Sequence, residues 1–186
     1  MEMQRQVRFR LWVRILALAL FAATAGYSAA QYGALPQRLA VHFGLDGTPN
    51  GWQTKAAFFR AILLILTAYN VGFVLGTGLW LRRINPRHLN ICWKQYWLAT
   101  DARCRLVMVK LETMLAMTGI LFNGIFAGIV WLVVRANLTP DHALPAPSLV
   151  LGLILGATAA YIAWMFWFQH PPADTSRVGR LKPEAH

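Results

Sequence analysis

The chain has 186 residues, of which 57% are hydrophobic and only 13% charged, and it carries a formal net charge of +11. Soluble domains hold roughly 25% charged residues, so this composition excludes an ordinary soluble globule and points to the bilayer as solvent. The basic residues are scattered over separate segments instead of forming one patch, so no nucleic-acid partner is read from them.

In chain order, the first apolar run is Ile15 to Ala30. It is short for a spanning helix, which needs ~20 residues. Leu11 to Val13 extend it past Arg14, whose stem can snorkel to the headgroups. A span over 11–30 behind a cytoplasmic N-terminus (1–10) is expected. A cleaved signal peptide is the competing reading, with a basic start and the small residues Ala23-Thr24-Ala25. It would leave three spans.

The polar stretch from Leu35 to Lys55 follows. Leu39, Val41 and Phe43 alternate with Ala40 and His42, the period of a strand. Asp46-Gly47 and Asn50-Gly51 supply turns around Pro49. Trp52 is placed as a headgroup-level aromatic and Lys55 within reach of lipid phosphate. A histidine titrating near ~6.5 suits metal binding, pH sensing or partner contact. For His42 the competing reading is a structural hydrogen bond to the turn that follows. A metal site needs three or four donors; His42, Asp46, Asp141 and His142 are conceivable ligands, but no metal is assigned. His42, Asp46, Asn50, Trp52 and Lys55 form the candidate patch for a partner or ligand.

The second span is expected over 56–81, with Asn70 near its middle. In the segment after it, Leu89, Trp93, Tyr96 and Trp97 recur at helical spacing, with Arg87, Lys94 and Gln95 between them. This reads as an amphipathic stretch in the headgroup plane, anchored by Trp93, Lys94, Tyr96 and Trp97. Cys92 and Cys104 match no zinc or redox spacing. Asp101 is the expected N-cap of a third helix running from about 102 to 134 and spanning over 107–134. Glu112 is expected to snorkel, paired with a basic neighbour, a proton-carrying role being the alternative. Asn123 and Asn70 are expected to hydrogen-bond across helices. A short outer connector leads to a fourth span over 148–169, then a disordered tail over 170–186.

Small residues four apart mark every span: Ala22 and Gly26, Gly72 and Gly76, Gly124 and Gly128, Gly152 and Gly156. Such stripes let helices approach closely in lipid. Of the 18 basic residues, all but Arg38, Lys55, Arg60 and Arg135 fall on the side of the two termini. The excess of positive charge on that side makes it cytoplasmic. All five histidines lie outside the spans and no catalytic motif appears, so neither a cofactor nor a catalytic residue is assigned.

One resemblance adds to this. "LPQRLAVHFGLDGTPNGWQTK" resembles the signature of the bacterial membrane proteins grouped as domain-of-unknown-function family 1648, through Leu35-Pro36, Val41-His42-Phe43, Gly47, Pro49, Gly51-Trp52 and Lys55. Asn90, Lys94, Tyr96, Trp97 and Leu98 are similar to its second pattern, although Cys92-Trp93 stands where members commonly have Pro-Asn. The resemblance implies a small multi-pass protein of the bacterial inner membrane, with no established activity for most members. One branch forms the front half of immunity proteins against a sporulation-delaying peptide toxin. These are similar here only in the first outer loop and its flanking spans.

The expected fold is thus an all-α, four-span bundle with a structured outer loop and a cytoplasmic amphipathic segment. The expected function is non-enzymatic: interaction, immunity or sensing through the outer loop, with the bilayer and a membrane protein or peptide as partners. Two alternatives stand beside it. A small transporter would use Asn70, Asn123 and Glu112, whereas an accessory subunit would use the glycine stripes between proteins.

Overall fold

The computed structural model describes residues 2–144 and 146–172. The elements run α1 (Glu2–Tyr32), β1 (Arg38–Phe43), β2 (Pro49–Thr54), α2 (Lys55–Tyr69), α3 (Thr77–Leu81), α4 (Lys94–Trp97), α5 (Asp101–Asn137) and α6 (Pro147–Gln169). A π-helical turn, Asn70–Leu75, joins α2 to α3. Among the described residues, four stretches are long and apolar enough to cross a membrane: Met3–Tyr32, Lys55–Leu75, Asp101–Asn137 and Pro147–Gln169. The chain therefore reads as a multi-pass membrane protein. Most of the tail expected to be disordered, 173–186, lies outside the described residues.

The spine is α5, whose 37 residues reach about 55 Å at ~1.5 Å per residue, well beyond a ~30 Å hydrocarbon layer. One face of it is buried: Glu112, Ala116, Gly119, Asn123, Val130, Val134 and Asn137. Three- and four-residue steps, which keep a helical position on one side, produce that face. α1 makes the most extensive contact with it. Buried Ala17 of α1, Leu66 of α2 and Val74 of the π turn complete the core. The three helices close on Gly119, where an added Cβ would stand 2.6 Å from Val74 Cγ2 and 3.5 Å from Ala17 Cβ.

The expected glycine stripes do not serve this packing. Nothing lies within 4 Å of a Cβ built at Gly26, Gly72, Gly124, Gly128, Gly152 or Gly156. Gly76 is required by the π turn itself, because a Cβ there would fall 2.7 Å from the Gly72 carbonyl oxygen. The four spans are also not equivalent, as α6 buries none of its apolar stretch inside the chain. It meets α5 near its own C-terminal end, where the Tyr161 hydroxyl donates to the Met114 carbonyl (2.8 Å) and Lys110 Nζ to that of Phe168 (2.6 Å). Toward the other end α5 and α6 flank an apolar groove of about 480 Å³, into whose walls Gly124 and Gly128 fall. The architecture is a three-helix core with a peripheral fourth helix, not an even bundle.

The segment between α3 and α5 departs from expectation as well. It is not one amphipathic helix: a 3-10 turn at Pro86–His88 and the single turn of α4 are its regular parts. Trp93, at φ 52°, takes a left-handed conformation that breaks the period. Trp97 is buried, its indole N–H donating to the Gln169 carbonyl (3.0 Å), so it closes the end of α6 instead of floating in the headgroups. Tyr96 lies under Arg103, 4.3 Å from guanidinium carbon to ring centre, and Trp93 meets His170 edge-on at 4.8 Å. Lys94 is exposed. Thr100, one residue before Asp101, caps α5 by accepting from the Arg103 amide (3.3 Å).

Candidate functional site

The stretch singled out in the sequence forms an antiparallel hairpin at one end of the core. Arg38 to Ala40 pair with Thr54 to Trp52, after which an irregularity sets His42 opposite Gly51 and Phe43 opposite Pro49. The irregularity lets Leu39 and Ala40 both be buried, which a strict alternation forbids. Gly51 must be glycine, since a Cβ would stand 2.7 Å from that of His42. The tip is closed by Gly44 and Thr48, whose backbones bond at 2.8 Å, with Gly47 at φ 85°. Asp46 accepts from the Thr48 amide (3.1 Å) and hydroxyl (2.8 Å), and these bonds hold its carboxyl below the usual range. Asp46 is thus a turn builder. Gly47 also accepts from the Leu144 amide (2.9 Å), tying the tip to the α5–α6 connector.

Two clasps fix the hairpin to the membrane helices. Lys55 is buried, and its ammonium donates to the carbonyls of Tyr32 and Leu35 (3.0 Å each) while lying 4.7 Å from the Tyr32 ring centre. It satisfies acceptors that the end of α1 leaves open, and its charge suits that end of the helix dipole. It therefore does not reach lipid phosphate and offers nothing to a partner. Asn137, the last residue of α5, acts as a short substitute strand. Its Oδ1 accepts from the Ala40 amide (2.8 Å), and its Nδ2 donates to the Ala40 carbonyl (2.9 Å) and to that of Val133 (2.8 Å).

Asn137→Asp keeps the acceptor for Ala40 but turns another acceptor toward two carbonyls. It is expected to cost about 1–3 kcal/mol and to speed hydrogen exchange at the Ala40 amide. Unchanged exchange there would contradict the clasp.

Deeper, Asn70 and Asn123 form a reciprocal pair. Each carboxamide donates to the other's oxygen (2.9 and 3.0 Å). The remaining donations go to the Leu66 carbonyl from Asn70 (2.8 Å) and to the Ala17 carbonyl from Asn123 (2.9 Å). Nearer the other end, Glu112 pairs with Arg10 and with Arg14 (3.4 Å), and Arg14 also donates to Thr77 (3.2 Å). Glu112 thus has the basic partners expected for it, and with Arg14 it joins α1, α3 and α5.

What the hairpin leaves open is its far side. Leu45 is 89% exposed and Trp52 43%, and His42 bonds through Nδ1 to Asn50 on the neighbouring strand. Trp52 meets His142 edge-on at 5.4 Å. Asp141 is held below the usual carboxylate range, chiefly by the Thr139 hydroxyl and then by the Ala143 amide. Among the described residues no three His, Cys, Asp or Glu side chains gather as a metal site, so His42, Asp46, Asp141 and His142 do not converge.

Against known families, residues 19–67 match the model of a domain of unknown function, DUF1648. This part of the chain belongs to that domain family. The DUF1648 match begins inside α1, contains the whole hairpin with Lys55, and ends within α2. Its far clasp, Asn137, and the deeper partners Asn123 and Glu112 lie outside it. No curated protein and no solved structure matches the chain. Sequence reasoning missed Asn137, Gly119 and Thr77. The signal for the first two was there: both fall on the α5 face that carries Glu112 and Asn123.

Proposed function

We propose that this is a non-enzymatic membrane protein that presents a preformed hairpin, on the outer side of a bacterial inner membrane, to a protein or peptide partner. One observation carries the reading. The hairpin is held from below by Lys55 and Asn137, yet leaves Leu45 and Trp52 uncovered beside the His42–Asn50 pair. A rigid loop with exposed apolar residues binds at low ordering cost, and tryptophan is over-represented among residues that dominate interfaces. Immunity against a membrane-active peptide is the concrete version, supported by resemblance alone. Transport is less well supported, because the polar groups at depth, Asn70, Asn123 and Glu112, already have partners in one another or in α1. The excess of basic residues at the other end supports cytoplasmic termini.

Photo-cross-linking in cells tests it. A reactive residue at Leu45 or Trp52 is expected to give a discrete protein or peptide adduct, whereas one at Leu153, exposed on α6, captures lipid. Lipid adducts alone at all three positions would count against the reading.

A further inference from the structure

Beside the hairpin, the last turns of α1 and the first turns of α2 border a groove of about 480 Å³. Small residues of α1 make room for it, with Ala25, Ser28 and Ala29 on one wall and Phe59 and Leu63 of α2 on the other. Ser28 keeps its hydroxyl within its own helix, donating to the Thr24 carbonyl (2.7 Å), so this stretch of the groove is apolar. Tyr32 lines the end nearest the hairpin. Its ring centre lies 5.7 Å from that of Phe59 and 4.7 Å from the ammonium of Lys55, which is itself spent on backbone carbonyls. The groove is therefore preformed. Its charge comes from Arg60, which is exposed in the lining although it lies five residues inside the second span. Arg60 Nε donates to the Ala56 carbonyl (3.1 Å), one turn back toward the hairpin, so the guanidinium is drawn to headgroup depth. A long basic side chain in lipid turns this way to reach water and phosphate.

We infer that this groove holds one phospholipid of the leaflet on the hairpin side, with its phosphate on Arg60 and an acyl chain over Ala25 and Ala29. Charge and shape select the same occupant. A guanidinium pairs with phosphate through two parallel hydrogen bonds. Below it the apolar channel continues toward the bilayer centre, and the seven residues from Tyr32 back to Ala25 cover about 10 Å of helix. A peptide carboxylate would meet the cation but would not fill a channel that deepens into hydrocarbon. A neutral diglyceride would fill the channel and leave the guanidinium without its counter-charge. The inference is independent of any partner at the hairpin.

The test is photolabelling of the full chain in a neutral detergent, with adducts mapped to residues by tandem mass spectrometry. The probes are phosphatidylglycerol and diacylglycerol carrying the same diazirine-bearing acyl chain. In the wild type, phosphatidylglycerol is expected to label the segments 25–32 and 59–63 about fivefold more than diacylglycerol, the effect of one nearby arginine. Arg60→Gln, at an exposed position, should bring the two probes close to parity there. Ala29→Leu, which fills the groove, should lower labelling by both. Ala30→Leu, exposed on the same turn but outside the lining, should change neither. Equal labelling of these segments by the two probes in the wild type would overturn the inference. So would an undiminished preference in Arg60→Gln, or Ala29→Leu and Ala30→Leu behaving alike.

Discussion

Glu112→Leu is expected to cost the fold about 2–4 kcal/mol, read as a lower melting temperature in detergent. Removing one partner of a buried ion pair costs ~3–5 kcal/mol, because the charge left behind has lost its counter-ion. The lower range allows for partial solvent access, since the Arg10 and Arg14 side chains are 20% and 21% exposed. Glu112→Gln keeps an acceptor for both guanidinium groups and is expected to cost less. The decisive variant adds Arg10→Leu and Arg14→Leu to Glu112→Leu. Replacing a whole buried charge cluster by apolar side chains is often neutral or stabilising, so the triple variant should recover most of the loss. A triple variant no more stable than Glu112→Leu would show that the ion pair does not join α1 to α5.

The second large effect concerns the amide pair. Asn70→Ala and Asn123→Ala are each expected to cost about 1–3 kcal/mol, because either leaves the opposite carboxamide unsatisfied at membrane depth. Interhelical hydrogen bonds in membranes average only ~0.6 kcal/mol, but this pair is closed on itself and also holds the carbonyls of Leu66 and Ala17. The double variant strands no carboxamide. Its cost should therefore fall short of the sum of the singles by about 1 kcal/mol. Additive losses would mean that the two side chains act separately.

Much of the fold was legible in the sequence because lipid imposes simple rules. The four spans follow from apolar length, and the hairpin from the alternation of Leu39 to Phe43 with two turns behind it. That Asn70 and Asn123 hydrogen-bond across helices follows from the cost of leaving an amide unsatisfied in hydrocarbon; that they bond to each other is seen in the structure. What failed was the assignment of partners. Glycine spacing reports where helices are able to approach, not where they do: Gly119, outside every stripe, is the point of closure, while Gly124 and Gly128 face a groove. Sequence alone places Lys55 and Arg14 at the headgroups, because long basic side chains can snorkel. Here unpaired carbonyls at the end of α1, and a carboxylate on α5, draw them inward. Within the candidate site, the His42–Asn50 contact was within reach of strand pairing and turn chemistry. Asn137 was not, because its partner Ala40 lies 97 residues away and the bond is made to backbone.

The reading of this protein as one that meets its partner through the hairpin requires that hairpin to stand outside the membrane. The most direct measurement is labelling with a membrane-impermeant maleimide in intact cells, after Cys92 and Cys104 are replaced by serine. Leu45→Cys is predicted to label without permeabilisation, and Arg87→Cys only after it. The reverse pattern, with Arg87→Cys labelled first, would place the hairpin in the cytoplasm and contradict the account.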